Sequence, residues 1–136
     1  MHCIGIDIDA QPERVAADVC RIGRETTVIL DARNSWNDDF VEVVPGFSEP
    51  GYGIPSTATL EAIHVGARFE GLALDPVYSG KGMQGLIGLI RAGRFRRDET
   101  VIWLHTGGLP GLFAYPAAMN RAAALSPQGS TRNLLK

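Results

Sequence analysis

Cysteine is scarce in this chain of 136 residues, and neither sign of charge dominates it. The two cysteines, Cys3 and Cys20, match no metal-site or redox-motif spacing, so we expect both to be packing residues in a reducing compartment. The formal net charge is only −2, and the arginines are scattered rather than clustered. These features argue against a metal site, and against nucleic acid or an anionic membrane surface as a partner.

Long apolar runs are also missing. No run approaches the roughly 18 residues that a membrane span requires, and no cationic stretch precedes an apolar one at the amino terminus, as it would in a signal peptide. We therefore predict no membrane association and a cytoplasmic location. With 45% hydrophobic and 21% charged residues, the composition is typical of one soluble globular domain.

Segments with strand and helix character alternate along the chain. Buried strands are expected over 3–8 and 101–104, where apolar residues follow one another without a helical period. Such alternation predicts an α/β fold with a mainly parallel sheet covered by helices on both faces, a three-layer sandwich. Because the first element is a strand, we expect only part of such a sandwich. The predicted helix starts are Pro12, Ser56 or Thr57, and about Lys81, and Gly71 is expected to end the second of these helices.

Three glycine-rich turns, 51–53, 75–81 and 105–108, are the candidate ligand sites, because ligands in open α/β sheets bind beyond the carboxyl ends of the strands. None of them matches a Walker or dinucleotide fingerprint. Each alone is compatible with a purely structural turn. One alternative is that the chain is a small α/β nucleotide- or phosphate-binding module that uses Gly107 and Gly108.

The three turns together resemble the D-cysteine desulfhydrase and aminocyclopropane-carboxylate deaminase family. The similar segments are GYGIP at 51–55, EGLALDPVYSGK at 70–81 and HTGGLPGLF at 105–113, in the family's order and at the family's separation. The resemblance covers about residues 3–115. It implies a fold type II pyridoxal-phosphate (PLP) enzyme, similar in fold to the tryptophan synthase β chain, with residues 1–115 in its large cofactor-binding domain. Residues 116–136 show no family pattern, and we expect a poorly ordered or divergent tail there.

The resemblance also implies roles for individual residues. Tyr52 and Tyr78 match catalytic residues on the substrate side of the cofactor, while Ser79, Thr106 and Gly107 match cofactor-binding positions beside the ring. The deaminases carry glutamate and leucine where this chain has Ser79 and Thr106, which is the pattern of the desulfhydrases. We therefore predict β-elimination of D-cysteine to pyruvate, sulfide and ammonia, with a small D-amino acid as substrate and a homodimer as the complete enzyme. An aminocyclopropane-carboxylate deaminase fragment is the alternative.

Lysine is as scarce as cysteine, since the chain has only Lys81 and Lys136. The cofactor of such enzymes is anchored on a lysine, and Lys81 matches a family position that does not have this role. In the family, that lysine and the phosphate-holding loop lie before the segment that matches Cys3. We therefore expect this chain to be inactive alone, and a non-catalytic remnant or a partner-dependent fragment is a further alternative.

Overall fold

The computed structural model describes residues 2–32 and 35–125. Helices and a small sheet make up this part of the chain, so the α/β class is confirmed, while the three-layer sandwich stays a prediction. Among the described helices, none is both long enough and apolar enough to cross a membrane. In chain order the elements are β1 (Cys3–Ile6), α1 (Pro12–Ile29), a 3-10 turn (Asp38–Phe40), β2 (Val41–Val44), α2 (Thr57–Glu70), α3 (Ser79–Arg91), α4 (Gly111–Ala114) and α5 (Pro116–Ala123).

The sheet consists of two parallel strands in the described residues. Cys3 pairs with Val41, and the register continues to Ile6 opposite Val44. Parallel neighbours require a long crossover connection, which α1 provides. Its start at Pro12 is as predicted, because the fixed φ of proline suits a first helical turn.

Helix α2 begins and ends where its local sequence predicts. The Ser56 side chain accepts a hydrogen bond from the Thr59 amide at 3.0 Å, and the Thr59 hydroxyl accepts one from the Ser56 amide at 3.1 Å. This reciprocal capping box satisfies two amides that the helix cannot pair internally. Gly71 ends the helix in the left-handed conformation, with φ of 66°.

The apolar core lies between α2, α3 and α5. Helix α3 also lies against the sheet, because Gly85 packs directly on Ile6, and a Cβ at Gly85 would lie 2.6 Å from that side chain. Helix α3, which follows the second glycine-rich turn, therefore packs both on this core and on strand β1. The buried residues of this cluster are Leu60, Ala62, Ile63, Leu74, Met83, Ile87, Ala118 and Ala122.

The predicted strand over 101–104 is wrong. These residues pair with no strand in the described part of the chain, and Ile102 and Leu104 are 84% and 78% exposed. An apolar run is a strand only where a neighbouring strand accepts and donates its backbone hydrogen bonds, and the described residues place none beside it.

The first part of the expected tail contains a helix, and the division of the chain at residue 115 stays a prediction. Residues Pro116–Ala123 form helix α5, and Ala118 and Ala122 are buried against α2. Small alanine side chains allow this close approach without a family motif. The described residues therefore include the first part of the expected tail, up to residue 125, and the remainder, 126–136, lies outside the described residues.

Candidate functional site

Two tyrosines from different turns meet at the surface. The hydroxyl groups of Tyr52 and Tyr78 are hydrogen-bonded to each other, and the ring centroids are 6.0 Å apart at 75°. Both side chains are about half exposed. The hydrogen bond with Tyr78 raises the pKa of the Tyr52 hydroxyl, and loss of solvent and the charge of Asp9 act in the same direction. Tyr52 therefore presents a neutral phenol group to solvent at neutral pH.

Asp75 organises the turn that positions Tyr78. Its carboxylate accepts hydrogen bonds from the backbone amides of Val77, Tyr78 and Ser79 at 2.8, 2.8 and 2.9 Å. Burial alone would raise the pKa of this carboxyl, but the Ser79 hydroxyl and these amides together lower it below its usual value. The side chain of Asp75 thus acts as an ionised cap for the start of α3.

The hydroxyl of Ser79 is fixed by the same carboxylate. It donates to Asp75 Oδ2 at 2.6 Å and accepts a hydrogen bond from the Asp75 amide at 2.8 Å. A hydroxyl has one proton and two lone pairs, so one lone pair remains. Ser79 can therefore accept one further hydrogen bond but has no proton left to donate.

The third turn lies against Asp75. A Cβ at Gly108 would overlap the Asp75 carboxylate, and the φ of Gly108 is +98°. His105 holds the turn from the other side, because its Nδ1 accepts from the Gly107 amide at 3.1 Å while its Nε2 lies 3.2 Å from the Ala73 carbonyl. These two contacts require the neutral tautomer with the proton on Nε2.

The predicted cofactor residues of this turn are open to solvent. Thr106 and Gly107 are exposed, and Gly107 has a φ of +117° with open space where a Cβ would be. The contacts of Gly108 with Asp75 place this turn next to the one that carries Tyr78 and Ser79. The five predicted site residues thus lie on turns that contact one another, while direct contact of Thr106 with the tyrosines is not observed.

Two further residues, which sequence patterns did not predict, support the site. Lys81 is fully buried, and its ammonium group donates to the carbonyls of Ser48 and Gly51, immediately before Tyr52. The Tyr115 hydroxyl packs on Gly53, where a Cβ would lie 3.2 Å from it. A lysine inside the glycine-rich first turn of an apolar helix was the available signal for Lys81, since lysine is seldom buried without a partner.

The described residues fit one side of the PLP ring. Ser79 is buried, with 7% of its surface exposed, and its remaining lone pair would accept a hydrogen bond from a protonated ring nitrogen. The exposed backbone of Gly107 would let a flat ring approach without a Cβ in the way. Tyr78 directly precedes Ser79 in the chain, and its exposed hydroxyl is hydrogen-bonded to that of Tyr52. The one lysine in the described residues, Lys81, donates hydrogen bonds to two carbonyls and is not free to anchor the cofactor.

No model of a known protein family matches the chain, but curated relatives do. The 1-aminocyclopropane-1-carboxylate deaminase of Burkholderia vietnamiensis is 42% identical over 112 residues, which are 82% of this chain and 33% of that protein. The probable deaminase of the same name from Schizosaccharomyces pombe is 41% identical over 114 residues, 84% of this chain and 34% of that protein. The deaminase of Mesorhizobium japonicum is 40% identical over the same shares.

The chain spans about one third of the length of these relatives, which are PLP enzymes. The resemblance inferred from the three turns is thereby confirmed. The chain belongs to the family that contains the 1-aminocyclopropane-1-carboxylate deaminases, a family of fold type II PLP enzymes, and it corresponds to about a third of such an enzyme.

Proposed function

We propose that this chain forms one wall of the active site of a PLP-dependent enzyme that eliminates sulfide from D-cysteine. The observation that carries the proposal is the pair of exposed, hydrogen-bonded hydroxyls of Tyr52 and Tyr78, beside a Ser79 whose proton is held by Asp75. The overall reaction consumes one water and yields pyruvate, sulfide and ammonia.

In this proposal the tyrosine pair donates a proton to the departing sulfur. PLP, when bound, withdraws electrons from the substrate α carbon and makes its proton removable. The raised pKa of Tyr52 keeps its hydroxyl protonated at neutral pH, so one phenol of the pair can donate while the other accepts. A proton given to the departing sulfur by one tyrosine can be replaced through the hydrogen bond from its neighbour, and the neighbour, which is half exposed, then regains a proton from water.

Ser79, Thr106 and Gly107 position the ring. The lone pair of Ser79 would accept a hydrogen bond from the ring nitrogen, and the left-handed backbone at Gly107 keeps the ring edge free of side chains. Thr106 adds an exposed hydroxyl at the same edge. Each of these groups orients the ring without adding a charge to it.

The choice of D-cysteine over aminocyclopropane-carboxylate rests on Ser79 and Thr106. A carboxylate beside the ring nitrogen stabilises its protonated form, and a neutral hydroxyl does so less. Loss of a thiolate from the β carbon needs a weaker electron sink than the opening of a cyclopropane ring. The names of the relatives support the deaminase as the second candidate, and a non-catalytic fragment is the third.

The test joins this chain to the remaining two thirds of the B. vietnamiensis deaminase, which supplies the anchoring lysine and the phosphate loop. We expect pyruvate and sulfide from D-cysteine, and little ammonia from aminocyclopropane-carboxylate. The double variant Ser79→Glu and Thr106→Leu should shift the ratio of the two activities toward the deaminase, while the control Arg91→Met, on the exposed side of α3, should not.

Two outcomes of this experiment count against the proposal. If the unmodified hybrid is the better deaminase, the substrate assignment is wrong although the family assignment stands. If Tyr52→Phe and Tyr78→Phe both leave kcat unchanged, the proton-handling role of the pair is wrong. The small D-amino acid substrate, the homodimer and the cytoplasmic location remain part of the proposal, to be tested on the same hybrid.

A further inference from the structure

We propose that Lys81 is a positioning residue. Its hydrogen bonds to the backbone of the loop before Tyr52 hold Tyr52 against Tyr78. The inference rests on the proposed function only in so far as the two tyrosines are taken as site residues. The contacts that carry it are independent of any substrate or cofactor.

The ammonium group of Lys81 makes two short hydrogen bonds to main-chain oxygens. It donates to the Ser48 carbonyl at 2.6 Å and to the Gly51 carbonyl at 2.7 Å. The side chain of Lys81 is fully buried, and Ser48 is buried with it. One charged group thus spans both ends of the four-residue segment 48–51.

The partners of Lys81 are carbonyl groups rather than a carboxylate. Within residues 2–32 and 35–125, no acidic side chain lies within ion-pair distance of its nitrogen. Burial lowers the pKa of Lys81, and the charge of Glu49 opposes this only in part. Burying an ammonium group is costly unless its donors are satisfied, and the Ser48 and Gly51 carbonyls accept two of its hydrogen bonds, which fix the backbone of this loop.

The positions of Lys81 and Gly51 along the chain connect the two hydrogen bonds of Lys81 to the tyrosine pair. Lys81 lies in the first turn of α3, where the Gly82 amide donates to the Tyr78 carbonyl at 2.8 Å. Gly51 directly precedes Tyr52. The ammonium group therefore ties the segment that carries one tyrosine to the helix start that carries the other, and it sets the distance across which their hydroxyls meet.

A merely structural role would alter stability but leave the tyrosine pair intact, and this difference can be measured. Lys81→Met keeps the length of the side chain and removes the ammonium group. Arg91→Met, on the same helix but half-exposed in an ion pair with Glu61, is the matched control. Carbon-13 labelling of the tyrosine rings, assigned through Tyr52→Phe, reports the pKa of Tyr52, and amide hydrogen exchange reports the order of residues 48–54.

In Lys81→Met we expect the pKa of Tyr52 to fall toward its ordinary value and exchange over 48–54 to rise about tenfold or more, with the second half of α3 unchanged. Arg91→Met should change neither. If Lys81→Met keeps both the raised pKa and the slow exchange, the proposal is wrong. None of these readouts involves PLP or a substrate, so the proposed function can fail without affecting them.

A second measurement on the unmodified protein covers the case in which Lys81→Met does not fold. The chain has two lysines, so nitrogen-15 labelling of lysine gives two ammonium signals, with Lys136 as the internal reference. We expect the protons of Lys81 to exchange with water far more slowly than those of Lys136. Equal exchange rates would overturn the proposal.

Discussion

The Asp75 carboxylate occupies the space that a side chain at Gly108 would need, so the second and third glycine-rich turns are locked together at this one point. Asp75 simultaneously accepts the amides of Val77, Tyr78 and Ser79. One buried carboxylate thus fixes the start of α3 and the position of the turn that carries Thr106 and Gly107.

Gly108→Ala should be strongly destabilising. Its Cβ would overlap Asp75, which costs about 1 to 3 kcal/mol as overpacking, and its positive φ adds about 1 to 2 kcal/mol. Gly107→Ala is the matched control, because it has a positive φ but open space around it. Urea unfolding should show Gly108→Ala as the less stable variant, and equal stabilities would mean that the contact with Asp75 does not form.

Asp75→Asn should lower the free energy of unfolding by about 2 kcal/mol or more, because the new amide group faces the Ser79 amide and hydroxyl as donor against donor. The pKa of Asp75 is lowered in the folded state, so its stabilisation is present above its unfolded pKa of about 3.9. It is lost as the pH falls from there through the lower folded value. Urea unfolding across this acid range should show the gap between the two proteins closing.

The exposed ion-pair residue Asp98 offers the control for this experiment. Asp98→Asn should leave the free energy of unfolding almost unchanged, because solvent and salt screen an exposed ion pair. An Asp75→Asn protein as stable as Asp98→Asn at neutral pH would contradict the capping role.

Tyr78→Phe should return the pKa of Tyr52 toward about 10, because the hydrogen bond with Tyr78 is the largest cause of its increase. A raised folded pKa favours the neutral phenol, so this stabilisation is present below about pH 10 and is lost as the pH rises through the folded value. Ultraviolet titration of tyrosinate would follow the change. Tyr115→Phe removes a third titrating group and should leave the late transition of Tyr52 in place.

Treatment of the isolated chain with PLP and borohydride should give no saturable adduct at Lys81. Its nitrogen is buried and already donates to two carbonyls, so the free amine that the reaction requires is not available. Peptide mapping by mass spectrometry would locate any adduct. A stoichiometric adduct at Lys81 would show that its two hydrogen bonds break readily. It would also show that Lys81 has been matched to the wrong family position.

Local signals predicted the elements of this chain better than its contacts. Pro12, Ser56 and Gly71 mark helix ends because their effects depend on neighbouring residues only. The run 101–104 was wrongly predicted as a strand, since a strand depends on a partner that sequence periodicity does not reveal.

The candidate site shows the same division. The family resemblance identified Tyr52 and Tyr78, which the structure brings together, and their roles stay predictions. The hydrogen bonds from Lys81 to the Ser48 and Gly51 carbonyls join positions about thirty residues apart in sequence. No spacing rule predicts a contact of a side chain with the backbone over such a separation.

The exposed run 101–104 contains Trp103, whose ring lies edge-on to His105 at 5.2 Å. Unpaired apolar backbone of this kind is a template for strand addition, and its neighbours Ile102 and Leu104 are largely open to water. Any polypeptide that pairs with the run must change the surroundings of the indole group. In a Trp36→Phe variant Trp103 is the single tryptophan, and a blue shift of its emission would report when this edge is covered.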